Sequence, residues 1–425
     1  MIQSLKIKNF LSFKDEVEIS FDASKDKDLE DYHVVEVAPG VRLLKFLVVY
    51  GYNASGKSNL IKAFEFLRRF VFEQRKNKDD NIPFLPFMLD NSSSNLPSSF
   101  KLTFFIGSKK YVYELVFNRK EVLEENLFHY PGTQPAAIFK RVTTKGASFI
   151  SFPDKLKVSV VEKKEILLKC LPNTSVFAAY NQVNTIINDF EKVSNWFKTI
   201  FMQVIMPTTN LEDFAEDMII KDQACKQKVL DYLHRADFNI VNVKNKITES
   251  EVSDDMLDKI KGLDIPKEEI NRIEKTGKID LSRTEFFHNV NEEGENKEYP
   301  LLKNLQSEGT LRIFGLSAAV YKAIEQNAFL AIDEIESKLH PHLIEYLIEE
   351  FLKESKQSQL LVATHYDNLF DQDDLLRKDN FWFTEKKENG STDLYALKDF
   401  TGLNRISSLQ KAYKFGKFGA TPDLD

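Results

Sequence analysis

Along the first 60 residues apolar and polar positions alternate with a period of two. "LKIKNFLSF", "EVEISF", "YHVVEV" and "LLKFLVVYG" each predict strand, and the charged "DASKDKDLED" predicts a loop between the second and third. From about Ser58 the period becomes helical and holds to Phe72, where the solvated "EQRKNKDDN" ends it. Short runs follow, "FKLTFFI", "YVYELVF", "EENLFHY", "AIFKRV" and "SFISF", with turn residues between them, and these predict an antiparallel subdomain. From about Asn184 to Phe238 the pattern is helical again, as in "NTIINDFEKVSNWFKTIF" and "DQACKQKVLDYLHRADF". The polar segment "ESEVSDDMLDKIKGLDIPKEEINRIEKTGK" reads as a surface insertion with helical pieces, either a solvated excursion or a functional arm. From "TEFFHNV" onward strands and helices alternate, with the apolar strands "AFLAIDE", "QLLVATH" and "NFWFTEK" near the end. The pattern predicts an α/β fold of three regions: 1–150, a mainly helical 151–280, and 281–425.

A chain of 425 residues with 42% hydrophobic content can bury a large core. Its net charge of -7 gives no global positive field to draw it toward nucleic acid or anionic membrane, although a local basic patch stays open. Cys170 and Cys225 lie far apart with no metal-ligand spacing, which suits unbridged thiols in a reducing compartment. No apolar run approaches the roughly 18 to 20 residues that cross a bilayer, so a cytoplasmic protein without a membrane partner is expected.

The candidate chemistry begins where the fourth predicted strand meets the first helix. Gly51 to Ser58 reads G-Y-N-A-S-G-K-S, which fits the phosphate-loop pattern G-x-x-x-x-G-K-[ST]; the alternative is a tight strand-to-helix turn. In the phosphate reading the glycines let the backbone of Asn53, Ala54, Ser55 and Gly56 turn its amides, with the helix start at Asn59, toward an anion. Lys57 would reach the β- and γ-phosphates of ATP, and Ser58 would ligate Mg2+. The strand "AFLAIDE" ends in two acids. A carboxylate at a buried strand end needs a cation, so Asp333 suits the Mg2+ shell and Glu334 a water to be activated; the alternative is helix capping. The strand "QLLVATH" ends at His365, where an imidazole either hydrogen-bonds a γ-phosphate or is structural. In "NLQSEGTLRIFGLSAAVYKAI", Ser307 reads as a helix N-cap and Gly309 removes a side chain from the first turn, so this helix start also offers amides to an anion. His340 and His342 at i and i+2 of a helix start face different ways and do not suggest a shared metal.

The order of these motifs, phosphate loop, distant "SEGTLR", strand-Asp-Glu, "SKLHP", strand-Thr-His, resembles the ABC-type ATPase heads of the RecF and SMC branch. The opening "SLKIKNFLSFKDEVEISF" is similar to the first hairpin of that branch. "GYNASGKSNLIKAFEFL", "IDEIESKLHPHL" and "YKFGKFGATPDL" are most similar to compact bacterial ATPases of abortive-infection and anti-phage systems. The ATPase of the phage anti-restriction-induced system and the ATPase half of the OLD-like nucleases belong to that group. The likeness covers residues 1–130 and 280–425, and the middle only in length and character.

The resemblance implies an ABC-type P-loop NTPase head with a mixed sheet, an antiparallel β subdomain and a largely helical insertion. It makes Gly51 to Ser58 the Walker A loop, Asp333 the Walker B ligand of Mg2+, Glu334 the catalytic base and His365 the switch histidine. It makes Ser307 and Gly309 the signature that meets a partner's ATP and Ser337 to His340 the D-loop. One departure stands out. Such heads carry a glutamine after the first helix, and no Gln lies between Gln74 and Gln134; either "FLPFMLDNSSS" fills that place or hydrolysis is slower or differently gated. The family further implies a head-to-tail homodimer or higher homo-oligomer. It also implies a separately encoded toxin or nuclease effector, since the stretch after His365 is too short for an OLD-like nuclease domain, with DNA or a phage protein as trigger. The alternative function is a RecF-like DNA-binding repair ATPase, against which the net acidity argues mildly. A transporter ATPase would need a membrane-protein docking surface.

Overall fold

The computed structural model describes residues 1–156, 158–237, 239–253, 256–257, 259 and 267–421. The chain divides into two compact units, one of Met1–Thr209, Lys322–Ser337 and Ile344–Asp425, the other of Asn210–Tyr321 and Lys338–Leu343.

The first unit is an α/β structure around a mixed five-stranded sheet in the order Phe329–Ile332, Gln359–Ala363, Phe46–Tyr50, Phe381–Lys386 and Thr392–Ala396. The first four strands are parallel and the last is antiparallel. Phe46–Tyr50 lies at the centre and is buried at every position, as its unbroken apolar run requires. Parallel strands share a direction, so their C-terminal ends emerge along one edge of the sheet. The register places Ala363 beside Val49 and Ile332 beside Val362, which levels the ends from which Gly51, Asp333 and Thr364 continue.

The helix Lys57–Phe72 follows the central strand and buries Leu60, Ile61, Ala63, Phe64, Leu67, Phe70 and Val71, the spacing of one apolar face. The Phe64 ring packs against Phe329, with centroids 4.9 Å apart and the planes tilted by 36°. A second helix, Pro341–Glu354, starts on proline and connects the edge strand Phe329–Ile332 to its neighbour Gln359–Ala363. Lys45 donates to the carbonyls of Leu352 (3.2 Å) and Ser355 (2.7 Å) at that helix's end, where the macrodipole favours a cation.

Among the described residues the short runs predicted after the first helix form, with Ile2–Lys8 and Val17–Ser20, a seven-stranded antiparallel sheet. Gln359 ties this sheet to the central one. Its amide accepts from Ile2 N (2.6 Å) and donates to the carbonyls of Ile2 (2.8 Å) and Leu44 (3.2 Å).

The helical expectation over 184–238 is met by Asn188–Thr199, Glu212–Lys221 and Gln223–Ala236, but an extended stretch separates the first from the others. There Phe201 bridges Phe329 and Ile205 bridges Ile332, both in parallel sense. Val204 and Ile205 are buried, and a β-branched pair suits an extended backbone better than a helix.

The second unit holds a three-stranded antiparallel sheet of Ile240–Glu251, Lys278–Glu292 and Glu295–Leu302. Ile240–Glu251 runs into the segment read as an insertion with helical pieces, of which Lys267–Thr276 is one. Positions 254–255, 258 and 260–266 of that segment lie outside the described residues. Pairing with Lys278–Glu292 holds this polar stretch extended, a contact that the local pattern does not announce. No helix among the described residues is long and apolar enough to cross a membrane.

Candidate functional site

Strand, loop and helix meet at Gly51 to Ser58 in a shape that requires glycine at positions 51 and 56. A Cβ on Gly51 would stand 2.4 Å from both Ser55 Oγ and the Thr384 carbonyl. Gly56, at φ 121°, lies in backbone space that side chains rarely adopt, and a Cβ there would meet Thr392 Oγ1 at 2.5 Å. Both clashes involve the neighbouring strands. Ser55 Oγ lies 2.7 Å from Thr384 Oγ1, and Thr392 Oγ1 donates to the Ser55 carbonyl at 2.7 Å. Ser12 Oγ accepts from Asn59 Nδ2 and, since the Thr392 proton is on the Ser55 carbonyl, donates to Thr392 Oγ1, each at 2.8 Å. Thus the first strand's turn and the last two strands clamp the loop from outside.

Inside the loop, Lys57 is 6% exposed. Its ammonium donates to the Gly51 carbonyl at 2.7 Å and to His365 Nε2 at 3.0 Å. Burial lowers its pKa to about 8, against the opposing pull of Asp333, Glu336 and Glu334. His365 is also lowered, first by burial and then by the Lys57 charge. Asp333 is raised, chiefly because it is buried, while the hydrogen bond from Ser58 and the charges of Lys57 and Lys62 work against that.

Asp333 is 1% exposed and its Oδ1 has no hydrogen-bond partner. An orphaned carboxylate oxygen in the interior is costly, and a divalent cation satisfies it. With the Ser58 hydroxyl on the same carboxylate, the donor set is all oxygen and includes one buried anion, which fits Mg2+.

Asn53, Ala54, Ser55, Gly56, Lys57, Ser58, Asn59, Glu334 and His365 line one cavity of about 410 Å³. Gly51 and Asp333 stand at its strand ends. Glu334 has a φ of 46°, a left-handed backbone uncommon for a glutamate and of the kind that recurs at functional sites. Leu85 to Leu89, part of the stretch "FLPFMLDNSSS", line the same cavity, and Leu85, Met88 and Leu89 there are 50 to 63% exposed. Phe87 N donates to Asn9 Oδ1 at 3.0 Å and holds that segment against the first strand's end.

Four contributors escaped the motif reading. Glu336 accepts from Thr364 Oγ1 and from His365 N, each at 2.6 Å, and so holds the turn that aims the histidine. Ser12, Thr384 and Thr392 act on the loop as described. Glu336 lies two residues beyond the acid pair, and that proximity is the one signal that could have found it.

Ser307 and Gly309 belong to the second unit. Ser307 Oγ accepts from Thr310 N at 3.0 Å and caps the helix Glu308–Glu325. A Cβ on Gly309 would meet the Lys338 carbonyl at 2.8 Å, and Lys338 pairs with Glu308 at 3.3 Å. Glycine is thus needed for the "SKLHP" stretch to approach this helix start.

The sequence over residues 46–148 and 219–371, more than half of the chain, matches the family described as "AAA domain, putative AbiEii toxin, Type IV TA system". Comparison with curated proteins gives no match. Solved structures similar to the chain include the SMC head domain from Thermotoga maritima, at 13% identity over 93% of this chain and 98% of that one, with a TM-score of 0.42. An SmcHead bound to the C-winged helix domain of ScpA is 12% identical over 97% and 99%, with a TM-score of 0.46. An Smc head domain with an extended coiled coil, bound to the C-terminal domain of ScpA derived from Pyrococcus furiosus, is 11% identical over 98% of each chain, with a TM-score of 0.39.

Proposed function

Because the chain belongs to this AAA-domain family, we propose that it is an ATP-binding and ATP-hydrolysing switch that works as a head-to-tail dimer and controls a separately encoded toxin or nuclease in anti-phage defence. The observation that carries the ATPase half is the meeting of Lys57, the Ser58–Asp333 pair and Glu334 at the level ends of three parallel strands. The toxin–antitoxin wording of the family description supports the effector half.

The loop amides and Lys57 bind the β- and γ-phosphates once Lys57 leaves the Gly51 carbonyl. Ser58 and Asp333 would hold Mg2+, which supplies neutralisation of phosphate charge. Glu334 takes the proton of a water that attacks the γ-phosphorus as the bond to the β-phosphate oxygen breaks. Once Lys57 has left and the imidazole proton has moved from Nδ1 to Nε2, His365, aimed by Glu336, donates a hydrogen bond from Nε2 to the γ-phosphate. Ser307 and Gly309 of one head offer a capped helix start to the ATP of the other, and closure and reopening of the pair is the switch.

Two measurements test the two halves. Phosphate release by the purified chain with ATP and magnesium tests the first, and its absence removes the ATPase. Phage challenge of cells that carry the chain alone or with its neighbour-encoded protein tests the second. Protection by the chain alone sinks the two-component reading.

A further inference from the structure

A second cavity, of about 520 Å³, runs along the helix Lys57–Phe72 and falls within the range of small-ligand sites, roughly 300 to 1,000 Å³. Lys62, Glu65, Phe66, Arg69, Phe70 and Glu73 line it at the spacing of a single helical face. Phe10 and Phe84 complete an aromatic wall, with ring centroids 5.3 Å and 6.0 Å from Phe66. Val204 and Met206 close it.

The charges on its rim do not cancel. Glu65 accepts from Arg68 Nε (3.0 Å) and Nη2 (2.7 Å) and is already neutralised. Glu73 is shared between Arg69 at 3.2 Å and Arg75 at 3.3 Å, which leaves one positive charge in excess. Lys62 makes no ion pair among the described residues. Arg75 Nε is buried without a hydrogen-bond partner, and an orphaned guanidinium donor in a cavity wall calls for an acceptor that the chain itself does not provide.

We propose that this cavity binds an aromatic or branched apolar group that carries a carboxylate. The phenylalanines take the apolar body, and Arg75 and Lys62 take the charge. Such a group is available from an acidic–aromatic segment of a partner protein or from a free small acid. Leu11 and Leu85 line both this cavity and the nucleotide cavity, joined by a hydrogen bond from Leu11 N to the Leu85 carbonyl at 2.8 Å. An occupant therefore stands one residue away from the nucleotide cavity, on the helix that carries Lys57 and Ser58, and changes the hydrolysis rate. That coupling rests on the ATPase reading; binding itself does not.

The probe is 8-anilinonaphthalene-1-sulfonate, an aromatic anion whose fluorescence reports its environment, titrated into the full chain without nucleotide. One saturable site is expected, retained in saturating ATP. Arg75→Met keeps the apolar stem and should weaken binding at least about tenfold, the worth of one charge-assisted hydrogen bond. Arg75→Lys should restore part of it, and Met206→Trp should remove it by filling the space, with thermal unfolding as the check that each variant folds. Displacement by acetyl-Asp-Phe-amide assigns the site to a protein segment, and displacement by phenylacetate assigns it to a free acid. No saturable binding to the parent, equal binding by Arg75→Met and Met206→Trp, or full displacement by ATP overturns the proposal. An unchanged hydrolysis rate with the site filled removes the coupling alone.

Discussion

Lys57 Nζ and His365 Nε2 lie 3.0 Å apart across 308 residues of sequence. The ammonium donates, so the imidazole presents its bare nitrogen there and keeps its proton on Nδ1. Without nucleotide, the phosphate-binding cation is thus held by the group proposed to contact the γ-phosphate, and ATP has to take its place between them. Lys57→Ala should abolish ATP binding in calorimetry while the fold persists, because the lost side chain is a desolvated cation whose removal relieves burial cost. Undiminished binding by a folded variant would return Gly51 to Ser58 to the status of a turn.

Glu336→Ala should separate hydrolysis from binding. The carboxylate is not itself in the cavity lining but fixes both Thr364 Oγ1 and the amide of His365, which is. Without it the histidine turn loosens, and kcat should fall by about tenfold or more, since small misplacements of a positioned group cost that much. KM should change little. Glu336→Gln, which still accepts from the backbone, should lie between. Steady-state phosphate release decides it, and a rise in KM with kcat unchanged would place Glu336 in binding instead.

The contrast between these two residues shows what the sequence could reveal. Lys57 was legible because its chemistry is local: strand, two glycines, Lys and Ser occupy consecutive positions, and the Cβ clashes at Gly51 and Gly56 explain why no other residue serves there. Asp333 and His365 were legible as polar ends of apolar runs. Thr384 and Thr392 were not, because their hydrogen bonds to the loop exist only after strands more than 300 residues apart become neighbours, and Ser12 joins them through Asn59, 47 residues on, and Thr392, 380 residues on. The same holds for Ile240–Glu251, whose polar sequence becomes strand only through pairing with Lys278–Glu292. In the second unit, the need for glycine at 309 follows from the Lys338 carbonyl, which lies 29 residues along the chain.

Acid should weaken the fold through His33. Its ring is 1% exposed, with Nε2 2.8 Å from the Leu375 carbonyl and Nδ1 buried without a partner. Burial drives the pKa down to about 4 from the ordinary 6.5; the Leu375 bond and Asp379 oppose this, whereas Arg377 and Lys45 add to it. Because the folded pKa is depressed, the unfolded chain takes up a proton between pH 6.5 and 4 that the folded chain refuses. The contribution is whole above pH 6.5, falls as pH drops, and is gone near pH 4, with a total of about 3 kcal/mol. Urea unfolding at pH 7 and 4.5 should show a steeper loss for the parent than for His33→Gln, by about 2 to 3 kcal/mol. Equal pH dependence of the two proteins would remove His33 as the acid-sensitive group.

Glu334 offers the sharpest test of the mechanism. It is the carboxylate that follows the Mg2+ ligand candidate, lines the nucleotide cavity with Lys57 and His365, and is presented by a backbone in the left-handed region. Glu334→Gln preserves shape and hydrogen-bonding capacity but cannot accept the proton of the attacking water. Hydrolysis should therefore fall by about 10²-fold or more, the usual worth of a positioned general base. ATP should still bind, since Lys57, Ser58 and the loop amides are untouched. If Ser307 and Gly309 of one head close on the ATP of the other, unhydrolysed ATP should keep the pair closed, and light scattering with ATP and magnesium should show twice the mass of the nucleotide-free protein. Ser307→Arg in the same chain should reverse that gain by replacing the cap that accepts from Thr310 N and crowding the helix start with a long cation. Equal hydrolysis rates for Glu334→Gln and the parent would remove Glu334 as the base. A mass that does not change with ATP would remove the closed dimer and leave a nucleotide-binding head that acts alone.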